Sequence, residues 1–371
     1  MDEQSSGARN HEPQAVGNRH VLLAPGRSRT ADAVLQASAR SFDNWHDVEC
    51  ADAECREALK LLFGSTQAEI AVVPGAASLG IEVAVVASSP PGAVVLVLGH
   101  GPQGEHMSSV VSRRGRIADL LRAGEDGRVD LATLRTRLLE TRPSTVIVSH
   151  VDVQSGIVAP VSEYAAIIGE VAPETLLVVD GTWATGCLRQ NMDDWHADLM
   201  FTDSASLLGG CPGLVLGAVS SRLRMRRVRR DPAMPLYIEL ARWTSPEGAE
   251  VPPNLIFAMH AALQHIENEG LEARFQRCEA VGRAFRERAA AHGFGVFAPQ
   301  GCEAPTLTAL RPGVGVDAGA LHAELARSGI DLGIGSTGLV VLHSGDVSLT
   351  DLDCFWRVLE ELQGSTGAAI P

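Results

Sequence analysis

The chain has 371 residues, 45% of them hydrophobic and 20% charged, which is the composition of a soluble globular protein large enough for more than one domain. Its 31 basic and 45 acidic residues give a net charge of −14, which argues against nucleic acid or an anionic membrane as a partner. The seven cysteines show no CxxC spacing, and no signal peptide or membrane-length apolar run is recognised, so we expect a cytoplasmic protein with reduced thiols.

The N-terminal part of the chain is predicted to be a tail followed by two helices and a strand–turn–helix unit. Residues 1–19 are polar and aperiodic, and we expect them to be disordered. Helical patterns follow at 31–39 and 51–63, and a strand is predicted at 69–74. The turn Gly75-Ala76-Ala77-Ser78 then opens a helix, and its N–H groups together with the Ser78 hydroxyl suit an anion. An ordinary β–α turn explains the same residues.

From residue 93 onward, apolar runs alternate with helical patterns. Strands are predicted at 93–98, 144–149, 176–179, 199–202 and 214–220, and helices at 131–140 and 161–171. Short apolar runs bounded by turn residues are typical of strands buried on both faces of a parallel sheet. Ligands of such sheets bind beyond the carboxyl ends of the strands, so the residues that follow these runs are candidate site residues.

Two of these runs end in an aspartate, Asp180 and Asp203. Thr182, Ser204 and Ser206 follow within three residues, so the sequence places all five beside one pocket. A strand-end carboxylate also caps the turn that follows it, and that interpretation explains Asp180 equally well.

The stretch 176–216 resembles the core of the class V aminotransferases, the alanine–glyoxylate aminotransferase branch of the fold-type I pyridoxal-phosphate (PLP) enzymes. The similarity rests on Asp180, Ser204 and the Gly-Gly-Cys-Pro-Gly loop Gly209–Gly213, and it extends over residues 20–363. It implies an α/β fold of PLP-dependent transferase type I. A large domain is then expected on a mainly parallel seven-stranded sheet, followed by a small C-terminal α/β domain.

The resemblance also implies how the chain divides. The tail would cover residues 1–19, and the large domain, with its N-terminal segment, residues 20–250. The small C-terminal domain would cover residues 251–371.

Roles for single residues are implied in the same way. In the family the strand-end aspartate pairs with the pyridine nitrogen of the cofactor, which assigns that role to Asp180, and a lysine holds the cofactor as a Schiff base. Ser206 stands at the lysine position, and Lys60, the only lysine in the chain, is far from it in sequence. A hydroxyl cannot form an imine, so lysine-based Schiff-base chemistry is not expected. The matched positions for which cofactor contacts are implied are Ser78, Gln103, Asp180, Thr182 and Ser204.

Other positions of the family pattern have changed as well. The phosphate turn has Ala76 and Ala77, Gln103 stands where an aromatic ring or a histidine stacks on the cofactor, and Pro253 replaces a threonine that reaches the phosphate. No arginine occurs at residues 328–356, where the family carries the arginine that binds a substrate carboxylate. The bidentate clamp for an α-carboxylate is therefore missing.

The strand predicted at 144–149 is followed by His150 and Asp152, where the family has His-x-Glu. A histidine and carboxylates beside one pocket suit acid–base catalysis. His150 is explained more readily as a structural residue that orients its loop.

Three functions remain open. The first is a repurposed small-molecule enzyme with His150, Asp152, Asp203 and Ser206 as catalytic groups, and with PLP or pyridoxamine phosphate (PMP) held non-covalently or not at all. The second is a catalytically silent paralogue that completes a dimer with a lysine-bearing aminotransferase, and the third is a small-molecule binder or regulator. We favour the first, because polar residues have replaced apolar or small ones at several of these positions. We expect no metal site, and a homodimer or heterodimer, since pockets of this fold lie at a two-fold interface.

Overall fold

The computed structural model describes residues 20–26, 29–41, 44–99, 101–124, 127–226, 235–244, 251–336, 338–345 and 347–365. The tail predicted at 1–19 lies outside the described residues. The helices are α1 (Asp32–Ser38), α2 (Trp45–Phe63), α3 (Leu79–Ser88), α4 (Gly101–Arg113), α5 (Leu131–Thr141), α6 (Val161–Val171), α7 (Ser221–Met225), α8 (Pro253–Glu269), α9 (Leu271–Ala291), α10 (Ala318–Arg327) and α11 (Leu349–Ser365). The strands are β1 (Val21–Leu23), β2 (Glu69–Pro74), β3 (Val94–Gly99), β4 (Ile117–Arg122), β5 (Thr145–Ser149), β6 (Val151–Asp152), β7 (Ile157–Val158), β8 (Leu176–Asp180), β9 (Leu199–Asp203), β10 (Leu214–Val219), β11 (Gly295–Val296), β12 (Leu307–Arg311), β13 (Ile330–Gly335) and β14 (Gly338–Leu342).

A seven-stranded sheet in the order β2-β10-β9-β8-β5-β3-β4 forms the centre of the fold. The pairs from β9 to β4 are all parallel, and β10 runs antiparallel to both of its neighbours. Helices cover this sheet, so its central strands are buried along almost their whole length, as their apolar runs predict. The mainly parallel seven-stranded sheet expected from the sequence is confirmed.

A second, five-stranded sheet has the order β1-β13-β14-β12-β11 and packs against α9, α10 and α11. Two segments of the chain pack in the core that lies far from them in sequence. The N-terminal strand β1 pairs with β13, with Val21 opposite Ile330, while α8 buries Ile256 and Phe257 in the core of the seven-stranded sheet. The predicted division at 250/251 stays a prediction.

A buried arginine connects helix α9, which packs against the five-stranded sheet, to two loops of the seven-stranded sheet. Arg274, on α9, is 3% exposed, and it donates to the carbonyls of Gly186 at 2.8 Å and Leu207 at 2.9 Å. Its third bond, at 2.9 Å, goes to the Glu269 carboxylate, which balances its charge. These bonds fix the loops after β8 and β9, where the candidate site lies.

The predicted helices are found with small differences in their bounds. The helix predicted at 161–171 is α6 without change. The helix predicted at 51–63 begins earlier, at Trp45, because the Asn44 side chain caps it by accepting the His46 N–H at 3.0 Å. In the described part of the chain, no helix combines the length and the apolar character needed to cross a membrane.

Candidate functional site

The candidate site lies at the carboxyl ends of three adjacent strands. Strand β5 ends at Ser149, β8 at Asp180 and β9 at Asp203. In the β5–β8 pair Ser149 lies directly opposite Asp180, and in the β8–β9 pair Asp180 lies opposite Phe201, two residues before Asp203. Three polar side chains therefore meet at one edge of the sheet, where parallel sheets bind their ligands.

Asp180 is held by donors from both neighbouring segments. One carboxylate oxygen accepts the Thr182 N–H at 3.0 Å, and the other accepts the Ser149 hydroxyl at 3.3 Å. Burial raises the pKa of Asp180 despite these bonds, and the nearby Asp203 carboxylate raises it further. The charged neighbour that shifts the pKa of Asp180 is thus another acid, and among the described residues no cationic side chain forms an ion pair with Asp180.

Gln103, on α4, occupies the predicted stacking position and makes a different set of contacts. Its Nε2 donates to the Ser149 hydroxyl at 2.7 Å, and its Oε1 accepts the Val153 N–H at 2.8 Å. Because Ser149 in turn donates to Asp180, the three side chains form a chain of hydrogen bonds from α4 through β5 to β8. Gln103 therefore helps to orient Asp180.

At the predicted lysine position, a hydroxyl and a carboxylate form a pair. Ser206 donates its hydroxyl to one oxygen of Asp203 at 2.6 Å. The other oxygen accepts the N–H groups of Ala205 at 2.7 Å and Ser206 at 2.8 Å. Asp203 is 5% exposed and Ser206 6%, so the pair is almost enclosed. Asp203 thus both closes the turn after β9 and acts as acceptor for the Ser206 proton.

Ser204, predicted to contact a cofactor, is engaged by its own loop. Its hydroxyl donates to the Cys211 carbonyl at 2.6 Å and accepts the Leu214 N–H at 3.3 Å. The Ser204 carbonyl accepts the Gly210 N–H at 2.7 Å, and a Cβ at Gly210 would meet that carbonyl oxygen at 2.7 Å, which explains the glycine there. Ser204 therefore anchors the glycine-rich loop.

His150 is placed in the core behind the strand ends. Gln190 Nε2 lies 3.2 Å from His150 Nδ1, and the Trp195 ring makes an edge contact with the imidazole at 5.1 Å between centroids. Burial lowers the pKa of His150 from its ordinary 6.5 to about 4, so the ring is neutral at pH 7. Its backbone N–H donates to the Asp180 carbonyl at 2.9 Å. This environment supports the structural interpretation of His150.

Asp152 lies at the end of β6 and closes the loop that follows. One of its oxygens accepts the N–H groups of Gln154 at 3.0 Å and Ser155 at 2.8 Å, and the Ser155 hydroxyl at 2.8 Å. Asp152 also lines a small cavity behind Gln103 and Ser149, together with Tyr164 and apolar side chains. It faces this cavity in addition to holding its own turn.

The turn predicted to bind an anion opens α3. Among the described residues, the N–H groups of Ala76, Ala77 and Ser78 have no acceptor, as is usual at a helix N-terminus. The Ser78 side chain is exposed and forms no capping bond. Gly75 donates to the Gly213 carbonyl at 2.7 Å, which brings this turn next to the glycine-rich loop. Pro253 is the first residue of α8 and has neither a hydroxyl nor an N–H to offer.

These residues fit a pyridine ring but not a lysine Schiff base. Lys60, the only lysine, lies on α2 and donates to Glu57 at 2.7 Å. Asp180 is partly exposed, is oriented by two donors and forms no ion pair within the described part of the chain, which suits a protonated ring nitrogen. The phosphate side of such a ligand would meet backbone N–H groups and the Ser78 hydroxyl.

Ser149 is the residue that the sequence analysis missed. It is the last residue of a predicted strand, so the reasoning that selected Asp180 and Asp203 would have selected it too. Its contact with Asp180 depends on β5 and β8 being neighbours, which only the sheet order reveals.

Comparison with known proteins adds the following. A family model described as aminotransferase class-V matches residues 41–342. The 2-aminoethylphosphonate–pyruvate transaminase of Pseudomonas putida (strain W619) is 26% identical over 301 residues, 79% of this chain and 81% of that protein. The pyridoxamine–pyruvate transaminase of Mesorhizobium japonicum is 28% identical over 271 residues, 70% of this chain and 68% of that protein. The alanine–glyoxylate aminotransferase from Nostoc sp. superposes with a TM-score of 0.86 at 25% identity, covering 96% of this chain and 100% of that one.

Proposed function

The chain belongs to the class V aminotransferase family and has its type I fold, and on that basis we propose a small-molecule enzyme that binds a vitamin B6 ring non-covalently. Asp180 carries the proposal: it is an oriented carboxylate at the ligand-binding edge of the sheet. The chain's only lysine is on α2, which supports binding without a covalent link.

The proposed roles follow from the contacts of each side chain. Asp180 keeps a proton on the ring nitrogen, and Ser149 and Thr182 hold the carboxylate in place for this. A B6 ring protonated in this way supplies an electron sink for the chemistry of its ligand. Asp203 and Ser206, joined at 2.6 Å, hold a proton at the position that matches the family lysine. His150 and Ser204 are structural residues in this proposal.

The relatives support chemistry at an amine. By their names, one acts on 2-aminoethylphosphonate and the other on pyridoxamine, each with pyruvate. For the present chain we propose only the general ligand class, a small molecule with an amino or keto group. An α-amino acid is disfavoured as substrate, because residues 328–356 contain no arginine to pair with its carboxylate.

Titration of the purified full-length chain with PLP, PMP, pyridoxal and pyridoxamine tests the proposal, with ligand absorbance and fluorescence as the readout. We expect saturable binding of at least one compound and a loss of at least tenfold in affinity for Asp180→Ala. Asp353→Ala, which removes an exposed aspartate on α11, is the matched control and should bind normally. If none of the four compounds binds, the proposal is wrong.

A silent dimer partner is the second candidate, and the hydrogen bonds already made by polar side chains around the strand ends favour it. Gln103, Ser204 and Ser206 each have partners within the protein, as inert groups would. Co-expression with a lysine-bearing aminotransferase from the same source distinguishes the two functions. A stoichiometric heterodimer that is more active than the partner alone would favour the silent role.

A further inference from the structure

Ser206 and Asp203 replace a cation with an acid at one point of the site. The resemblance places the family's lysine amine at Ser206, and here the Ser206 hydroxyl is bonded to the Asp203 carboxylate at 2.6 Å. The hydroxyl–carboxylate pair is suited to an ammonium group, since both partners have oxygen lone pairs to offer.

The neighbouring strand end adds a second negative charge. Asp180 and Asp203 lie at the ends of adjacent parallel strands, and the Asp203 carboxylate raises the pKa of Asp180. The buried Arg274, which contacts the loops after both strands, is fully engaged, because its three nitrogens donate to Gly186, Leu207 and Glu269. A ligand that brings positive charge would therefore relieve the repulsion between the two carboxylates.

The opposite end of the site offers little for a phosphate. In the described part of the chain, no cationic side chain bonds to the turn at Ala76–Ser78, and Ser78 is its single hydroxyl. The three N–H groups at the start of α3 attract an anion only modestly at an exposed helix end. A phosphate would also add a charge of about −2 to a site that already holds two carboxylates.

We propose that the ligand is the unphosphorylated amine form of the B6 ring, a pyridoxamine-type cation, with its ring nitrogen at Asp180 and its ammonium group at Asp203 and Ser206. This inference rests on the proposed function and adds the chemical class of the ligand. The net charge becomes more negative along the series pyridoxamine, pyridoxal, PMP and PLP. Affinity should fall in that direction, with pyridoxamine bound at least tenfold more tightly than PLP.

The wild-type chain provides the first test, because the four ligands differ only in amine or aldehyde and in phosphate or hydroxyl. Equilibrium dialysis at low and high salt gives the four dissociation constants without any substitution. Tightest binding of pyridoxamine, weakened by salt, supports the inference. If PMP or PLP binds more tightly than pyridoxamine, the inference is overturned while the B6 site at Asp180 stands. If no compound binds, both proposals fail.

Asp203→Asn provides the second test, since the asparagine oxygen can still accept the N–H groups of Ala205 and Ser206 that close the turn. We expect pyridoxamine affinity to drop about tenfold and pyridoxal affinity to change less than about threefold, because only the amine form carries the ammonium. Equal losses for both ligands would overturn the placement of the amine. Ser206→Ala, which leaves the carboxylate in place, serves as the second variant and should have a smaller effect of the same selectivity.

Discussion

At the scale of single residues, the hydroxyl of Ser149 has the most consequential position. It accepts from Gln103 at 2.7 Å and donates to Asp180 at 3.3 Å, so it links a helix to the carboxylate that is proposed to bind the ring. The interaction replaces the aromatic or histidine contact that the family pattern predicts at Gln103. Hydrogen bonds from Ser149, itself held by Gln103, therefore help to orient the Asp180 carboxylate.

We therefore expect Ser149→Ala to weaken B6 binding about three- to tenfold, because a hydrogen bond contributes about 0.5–1.5 kcal/mol and Asp180 would lose one of its donors. Ligand fluorescence titration measures the change. Ser88→Ala is the matched control, since Ser88 is also buried but donates to the Ala84 carbonyl at 2.7 Å on α3. Unchanged affinity in Ser149→Ala would contradict the role of this hydroxyl.

Two buried histidines in the described part of the chain predict how stability depends on pH. Burial lowers the pKa of His150 to about 4, and burial together with Arg286 lowers that of His343 to about 3, from an ordinary 6.5. Below pH 6.5 the unfolded chain takes up protons that the folded chain excludes, so the free energy of unfolding falls as pH decreases. Each histidine lowers the free energy of unfolding by about 1.4 kcal/mol per pH unit of acidification, until the pH reaches its pKa in the folded protein.

Urea unfolding at a series of pH values from about 7.5 to about 5 measures this slope, which should be positive with pH and largest below the ordinary histidine pKa. His150→Gln should flatten it, while His46→Gln, which changes an exposed residue, should leave it as it is. A slope that His150→Gln does not alter would show that His150 titrates normally in the folded protein.

At the scale of elements, the turn between β9 and β10 carries Ser206, the position that matches the family lysine. Asp203 closes the turn through three bonds, and Ser204 and Gly210 close the loop behind it. Only one of these bonds, from the Ser206 hydroxyl to Asp203, involves the Ser206 side chain. The backbone of the turn should therefore tolerate a lysine at this position.

Ser206→Lys should form a covalent adduct with PLP that borohydride reduces, whereas the wild-type chain should form none in the site. Both proteins are prepared with Lys60→Arg, so that the Ser206→Lys variant has a lysine only at residue 206 and the protein that keeps Ser206 has none. Mass spectrometry of peptides then locates the adduct, and a pyridoxyl group in the site of the lysine-free protein would contradict the prediction.

We nevertheless expect no useful transamination of an α-amino acid by Ser206→Lys. The absent carboxylate arginine removes a charge-assisted contact of about 1.5–3 kcal/mol, which is about ten- to a hundredfold in rate. Ala76, Ala77 and Pro253 have no side-chain donor to offer to the proposed phosphate end. Rapid alanine–glyoxylate exchange by this variant would show that the pocket was silenced by a single substitution.

At the scale of the whole molecule, the family fold leads us to propose a dimer. Apolar side chains are exposed on α1, α2 and η1 (Leu236–Ile238), and they include Leu35, Trp45 and Leu236 at 46%, 53% and 65% exposure. Contiguous apolar patches mark surfaces that become buried on association, and we propose that these residues belong to such a surface. The proposed partner is a second copy of the chain or a lysine-bearing paralogue.

Light scattering of the purified chain at micromolar concentration should give about twice the monomer mass of 39.2 kDa. A monomer that recovers no partner from its native source would contradict the proposal. Leu236→Glu is expected to shift a dimer toward monomer, while Leu139→Glu, at an exposed position on α5, serves as the control.

The sequence by itself determined the fold class, the family and the positions of Asp180 and Asp203. These depend on local patterns, because a strand buried on both faces must be apolar along its length and the first polar residue marks its end. The absence of a lysine beyond Lys60 is also a property of the sequence alone. Local patterns determined as well that α2 ends at Phe63, where Gly64 adopts a left-handed backbone.

The tertiary structure alone decided which polar groups are free and which are engaged. Ser149 reaches Asp180 across 31 residues and Gln103 across 46, because the order of the strands brings them together. His150 is enclosed by Gln190 and Trp195, and Arg274 secures Leu207 from 67 residues away. Hydrogen-bond partners of this kind are set by which elements pack against each other, and side-chain chemistry at one position carries no information about such distant neighbours.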